Sequence, residues 1–138
     1  MPVYFRHENP RPFQKELMED LYAAMSGRRI LMAQAPTGSG KTDAALSAAI
    51  TCAMENDLEV FFLTPKISQH RIAVEVVKGI AEKYSLGLRA VDMIGRAHCC
   101  IDQSLTGLDN DSFQNICARK RKKQECFFYA NARGHGRL

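Results

Sequence analysis

No stretch of this sequence approaches the ~18 consecutive apolar residues that a membrane-spanning helix requires. Residues 1–12 are polar and include proline, arginine and histidine, so they resemble neither a secretory signal peptide nor a membrane anchor. No internal repeat is present. These absences predict an intracellular protein without a membrane partner. The 138 residues are sufficient for a small domain with a hydrophobic core.

The most informative motif lies at residues 35–42, which read A-P-T-G-S-G-K-T. This is a phosphate-binding loop in which alanine replaces the first glycine of the strict pattern. Two glycines allow backbone N–H groups to turn toward phosphate oxygens, the lysine attracts the β- and γ-phosphates, and the threonine hydroxyl is a ligand for Mg²⁺. The predicted nucleotide-binding residues are Ala35, Pro36, Thr37, Gly38, Ser39, Gly40, Lys41 and Thr42, of which Lys41 and Thr42 are the candidate catalytic residues.

The segments around this loop predict an α/β fold class. Short apolar runs at residues 30–33, 60–63 and 89–93 predict strands, and helical periodicity marks residues 11–27, 43–54 and 68–83. Two buried strands joined by a helix form a unit with parallel pairing and a right-handed crossover. The sequence therefore predicts part of a P-loop NTPase domain with a parallel sheet over residues 1–94.

Gln14 precedes the loop at the start of the first predicted helix. Its amide both donates and accepts hydrogen bonds, so it could read the N6 and N7 edge of adenine. It could equally be a solvated residue of the first helical turn. The sequence leaves both interpretations open.

Residues 95–138 differ in character, because periodicity fades and only residues 112–123 look helical. Cysteine is scarce before this segment, with Cys52 alone in a predicted core helix, and then four occur: Cys99, Cys100, Cys117 and Cys126. Clustered cysteines in an intracellular protein indicate metal or iron–sulfur ligation more than disulfides.

The net charge of +4 is uneven, since five consecutive basic residues occupy positions 119–123. Such a block is more often a solvated face, but beside a nucleotide-binding loop it gains weight as a contact for a phosphate backbone. The candidate nucleic-acid contacts in the block are Lys120, Arg121, Lys122 and Lys123.

An acidic motif at the end of a strand, which P-loop ATPases use to hold Mg²⁺ and position water, is absent from the sequence. Three strands also make a thin sheet for this architecture. We therefore expect the chain to be the N-terminal piece of a larger protein.

Taken together, these residues resemble the XPD/DinG family of iron–sulfur DNA helicases, within helicase superfamily 2. Residues 11–14 are similar to the family's adenine-sensing segment, and residues 35–42 match its first helicase motif. Lys66 and Gln69 lie where the next motif contacts single-stranded DNA. Arg96 stands four residues before Cys100, as the family's arginine stands before its first cluster cysteine, and Cys117 and Cys126 resemble the second and third ligands.

The resemblance implies a partial RecA-like motor domain followed by a cysteine-bearing, partly helical iron–sulfur insertion over residues 95–138. It implies an ATP-dependent helicase with 5′-to-3′ polarity in DNA repair or genome maintenance. As an N-terminal fragment of such an enzyme, this chain would bind ATP but would not unwind DNA alone. ATP, Mg²⁺ and a 4Fe–4S cluster would be its cofactors, with single-stranded DNA and duplex junctions as its partners. Arg96 would lie near the cluster and the DNA. The compartment would be cytoplasmic in a prokaryote and nuclear in a eukaryote.

Two other functions remain open from the sequence. One is a different P-loop ATPase with a structural zinc site, for which the available ligands are His98, Cys100, Cys117 and Cys126. The other is a non-catalytic nucleic-acid-binding module that uses the basic block and keeps a vestigial loop.

Overall fold

The structure is a computed structural model that describes residues 3–134. The chain divides into two compact units, Met1–Asp92 and Met93–Leu138. In the first unit, three long helices are α1 (Pro12–Ser26), α2 (Lys41–Asn56) and α3 (Ile67–Tyr84). The second unit contains, in order, α4 (Arg96–Cys99), a 3₁₀ turn (Gln103–Leu105), α5 (Asn110–Lys122) and α6 (Phe127–Gly134). No helix among the described residues is both long and apolar enough to cross a membrane.

Helix α2 is the centre of the first unit, because it buries one face against α1 and another against α3. Leu17 and Met18 of α1 pack on Ala44 and Ala48 of α2. On the other side, four larger aliphatic residues form a second cluster: Leu46, Ile50, Val76 and Ile80. Small residues toward α1 allow a close approach, and this packing fixes the position of the start of α2, where the candidate loop joins it.

An N-terminal strap, residues 3–10, runs across this helical layer. Phe5 is buried in the cluster between α1 and α2. The backbone N–H of Tyr4 donates to Thr51 Oγ1 at 2.9 Å, and Lys83 Nζ donates to the carbonyl oxygens of Phe5 and His7. The strap is thus fixed to both α2 and α3 by side chains that satisfy its backbone polar groups.

The three predicted long helices are confirmed, including the end of α1 at Gly27 and the burial of Cys52 in α2. The predicted helix at residues 112–123 corresponds to α5, which begins slightly earlier because Asp109 caps it. The Asp109 side chain accepts hydrogen bonds from the N–H groups of Asp111 and Ser112.

The predicted parallel sheet is wrong. No residue described in 3–134 belongs to a strand, and the three apolar runs have no regular secondary structure. Their side chains are largely exposed, with Ile30 at 96%, Phe61 at 81% and Val91 at 85%. A buried strand is stabilised by hydrogen bonds to a neighbouring strand and by other elements that pack on its two faces. These three runs have neither kind of contact. The apolar faces of α1 and α3 pack on α2 instead, so the first unit is a helical layer.

Candidate functional site

The loop at residues 35–42 is bent by two glycines in the left-handed region. Gly38 has φ +80° and Gly40 has φ +83°, and Gly40 is the residue that caps the N-terminus of α2. Side chains other than glycine rarely adopt this conformation. The bend brings the loop onto the start of α2, where unpaired N–H groups and the helix dipole favour an anion.

Gln14 lies against this loop, and the contact explains why position 40 is glycine. A Cβ atom at Gly40 would fall 2.1 Å from Gln14 Nε2. The buried amide of Gln14 accepts from the N–H of Arg11 at 3.1 Å and donates to the carbonyl oxygen of Gly40 at 3.3 Å. Arg11 adds a contact from Nη1 to the carbonyl oxygen of Gly38 at 3.2 Å. The start of α1 therefore holds the loop directly, and Gln14 keeps one N–H and one lone pair unused by these two contacts.

Lys41 closes the loop from inside. Its Nζ atom donates to the carbonyl oxygens of Ala35 and Pro36, both at 2.7 Å, and Ser39 Oγ donates to Pro36 at 2.8 Å. An ammonium group has three donors, so a third remains for another acceptor. Thr42 follows it in the first turn of α2 and is half-buried. The ammonium is thus anchored at the loop where phosphates would bind.

A cavity of about 420 Å³ opens beside the loop. Its walls come from the strap, the start of α1, the loop and the start of α2, and its lining residues are His7, Asn9, Arg11, Gln14, Gly38, Gly40 and Asp43. Sequence reasoning identified Gln14, Gly38 and Gly40 but did not identify His7, Asn9 or Asp43. Nothing in the local pattern marks the strap as part of the site, since only its packing on α2 and α3 brings it there.

Lys66 and Gln69 lie together at the N-terminus of α3, and both are exposed. The N–H of Gln69 donates to the carbonyl oxygen of Lys66 at 3.0 Å, and the side chains of Gln69 and Thr64 are in direct contact. The structure therefore brings these two candidate DNA contacts to one accessible turn of the first unit.

The basic residues of the second unit fall into two groups. Lys122 and Lys123 are exposed, whereas Lys120 and Arg121 contact other residues of the unit. Lys120 Nζ donates to Asp102 Oδ2 at 2.6 Å and to Ser104 Oγ at 2.9 Å, and the Arg121 guanidinium lies 5.5 Å from the centroid of the Tyr129 ring. Lys120 and Arg121 thus already have partners within the unit.

Arg96, at the start of α4, donates from Nη2 to Gln114 Oε1 of α5 at 3.1 Å and is otherwise exposed. The contact joins the start of α4 to α5.

The three candidate cluster cysteines, Cys100, Cys117 and Cys126, are half-buried thiols, and Cys99 is exposed. Among the described residues, no group of three or more His, Cys, Asp or Glu side chains is placed to hold a metal ion. The structure therefore gathers neither the predicted iron–sulfur ligands nor the zinc set that includes His98. The pKa of Lys120 is raised, first by its hydrogen bond to Asp102 and to a smaller extent by Cys126 and Cys100.

The contact between Lys120 and Asp102 should make the second unit sensitive to acid. The hydrogen bond from Lys120, followed by that from Ser104, lowers the pKa of Asp102 from 3.8 to about 2. Because the pKa is lower in the folded state, the stabilisation is present above about pH 4 and disappears as the pH falls toward 2. An NMR titration of the Ser104 amide should give a midpoint near pH 2 in the wild type and a higher midpoint in Lys120→Ala. Lys122→Ala is the matched control, and a wild-type midpoint near 3.8 would contradict the contact.

The sequence profile of the DEAD/DEAH box helicase family matches residues 11–116, which is most of the chain. The chain is also similar to the ATP-dependent DNA helicase CHL1 of Vanderwaltozyma polyspora, with 26% identity over 140 aligned positions. That alignment covers 81% of this chain and only 17% of the length of that helicase. No solved structure matches the chain.

Proposed function

Because the chain belongs to the DEAD/DEAH box helicase family, we propose that it supplies the nucleotide-binding part of an ATP-dependent DNA helicase. The observation that carries the proposal is the loop of residues 35–42, closed by Lys41 and bent at two glycines onto the N-terminus of α2. This arrangement offers an ammonium group, backbone donors and a helix dipole to one anion.

In this proposal Lys41 binds the β- and γ-phosphates, and its two carbonyl partners keep the ammonium at the loop before the nucleotide arrives. Thr42 would hold Mg²⁺, which supplies charge neutralisation at the phosphates when bound. Gln14 would read adenine with the N–H and the lone pair not used by Arg11 and Gly40. In this proposal the base and ribose would lie in the cavity beside the loop, next to this amide.

We further propose the finer identity that the sequence resemblance implies, an XPD/DinG-like helicase with 5′-to-3′ polarity in DNA repair or genome maintenance. Such an enzyme would act on single-stranded DNA and duplex junctions, in the cytoplasm of a prokaryote or the nucleus of a eukaryote. Lys66 and Gln69 would contact DNA from the first unit, and Arg96 with the exposed lysines would contact it from the second.

A 4Fe–4S cluster on Cys100, Cys117 and Cys126 remains part of the proposal by resemblance alone, because the described residues do not gather three ligands. No step of the proposed function depends on it. Iron and acid-labile sulfide analysis of protein purified without air tests the cluster directly. Zinc without iron or sulfide would favour a structural zinc site instead.

The deciding experiment is ATP hydrolysis by the complete gene product, measured with and without single-stranded DNA. We expect hydrolysis that rises when DNA is added and that requires Mg²⁺. DNA binding without any hydrolysis, unaffected by nucleotide, would contradict the proposal and favour a non-catalytic nucleic-acid-binding module.

The basic residues at the end of α5 should differ in their contribution to DNA binding. Replacing both Lys122 and Lys123 with alanine should weaken the binding of single-stranded DNA. The slope of log affinity against log salt concentration should become less steep by about 1.4, roughly 0.7 for each phosphate that is no longer neutralised. The double variant Lys120→Ala/Asp102→Ala is the matched control, since it removes an internal ion pair without changing the net charge and should leave the slope unchanged. Fluorescence anisotropy between low and moderate salt measures both slopes, and equal slopes in all three proteins would contradict the assignment.

A further inference from the structure

The N-terminal strap brings one arginine to the start of α2. The ammonium group of Lys83 holds the backbone on both sides of Arg6. Its Nζ atom donates to the carbonyl oxygen of Phe5 at 2.9 Å and to that of His7 at 2.5 Å. The Arg6 stem lies against Gly79 of α3, where an added Cβ atom would be only 3.0 Å from Arg6 Cδ. Both the backbone and the stem of Arg6 are therefore fixed by α3.

The guanidinium of Arg6 forms a two-point ion pair with Asp43. Nε lies 2.5 Å from Oδ1 and Nη2 lies 3.2 Å from Oδ2. His7 Nε2 is also 3.2 Å from Oδ1, so two consecutive side chains of the strap contact the Asp43 carboxylate. The paired groups are partly buried, which makes the geometry better defined than in an exposed ion pair.

Asp43 occupies an unfavourable place for a negative charge in a site that binds phosphates. It comes directly after Lys41 and Thr42 in α2 and is the acidic member of the residues that line the cavity within the described part of the chain. A carboxylate in the first turn stabilises a helix, but it also repels an anion bound at the same N-terminus. Something must offset that repulsion if the loop is to bind a nucleoside triphosphate.

We propose that Arg6 is a positioning residue of the nucleotide site, which neutralises Asp43 so that this carboxylate supports α2 without repelling the phosphates. The inference rests on the proposed ATP-binding function and adds to it a residue outside the loop. Its effect on affinity must grow with the negative charge of the ligand, because the interaction is between charges. A merely structural role of the strap would change the affinity for all nucleotides alike.

The test is isothermal titration of the chain with ATP, ADP and adenosine in the presence of Mg²⁺. Arg6→Gln should weaken ATP binding by about tenfold, weaken ADP binding less and leave adenosine binding unchanged. Arg6→Lys, which keeps the charge, should bind ATP nearly as the wild type does. The double variant Arg6→Gln/Asp43→Asn should recover most of the ATP affinity, because it removes the uncompensated carboxylate.

Arg71→Gln is the matched control, since Arg71 forms an exposed ion pair with Glu75 on α3 and should not alter ATP affinity. Asp43→Asn alone keeps Arg6 and should bind ATP several-fold more tightly, which tests the idea even if Arg6→Gln does not fold. Equal losses for ATP and adenosine in Arg6→Gln, or unchanged ATP affinity in Asp43→Asn, would overturn the inference. If the wild-type chain and Arg6→Gln bind ATP equally tightly, this inference alone is overturned. If the wild-type chain does not bind ATP at all, the proposed function is overturned as well.

Discussion

Replacing Lys41 with alanine is expected to weaken ATP binding by roughly 10- to 100-fold, the loss typical of a hydrogen bond to a charged group. Lys41 Nζ donates hydrogen bonds to the carbonyl oxygens of Ala35 and Pro36, and its third N–H can donate to a phosphate oxygen. The loop also loses its internal brace, so the backbone N–H groups that would face the phosphates are less well ordered. Both effects act on binding and leave the helical layer in place.

The same titration with ATP measures this loss, and the unfolding temperature reports whether the fold survives. Lys78→Ala is the matched control, because this lysine is exposed on α3. ATP affinity unchanged by Lys41→Ala would contradict the assignment of residues 35–42 as the phosphate site. Equal losses in Lys41→Ala and Lys78→Ala would indicate a general charge effect instead.

Gly40→Ala is expected to lower the free energy of unfolding more than the matched substitution Gly38→Ala. Both Gly38 and Gly40 have positive φ, so alanine at either position costs about 1–2 kcal/mol of strain. At Gly38 a Cβ atom meets nothing within 4 Å, whereas at Gly40 it would meet Gln14 Nε2 at 2.1 Å. Gly40→Ala must therefore also displace a buried amide from its hydrogen bonds, which costs about a further 1–3 kcal/mol.

Urea unfolding of the two variants gives both free energies directly. The expected order is wild type, then Gly38→Ala, then Gly40→Ala, and the second substitution should also weaken ATP binding because Gln14 leaves the cavity wall. Combining Gly40→Ala with Gln14→Ala should add less than the sum of the single effects, since the two residues share one contact. Equal stability of the two glycine variants would show that Gln14 does not restrict position 40.

The helices of the first unit could be predicted from the sequence because their signals are local. Phe13, Leu17 and Leu21 recur at helical spacing, and Gly27 ends α1 as expected. The bend of the loop at residues 35–42 could be predicted for a similar reason, since its two glycines act through local backbone conformation. Phosphate binding by this loop remains a prediction. Even the proximity of Gln14 to the loop follows the expected order of motifs, although its role as an adenine contact remains a prediction.

The predicted sheet failed because pairing is not a local property. Residues 30–33 and 60–63 are apolar enough for buried strands, yet a short apolar run does not specify whether a partner lies beside it. In the structure they are unpaired and their side chains are largely exposed. Similarly, the family resemblance implied a common site for Cys100, Cys117 and Cys126, but the described residues do not gather such a site. The distances between these cysteines depend on how the helices of the second unit pack.

By itself, the sequence determined the bend of the loop at residues 35–42 and the helices that flank it, because both depend on residues close together in the chain. Only the tertiary structure decided that α1, α2 and α3 pack as a helical layer, that Gln14 presses on Gly40, and that Lys120 is held by Asp102. It also decided that Arg6, far from the loop in sequence, pairs with Asp43 at the start of α2. Such contacts join distant segments, and packing and charge pairing between folded elements select them.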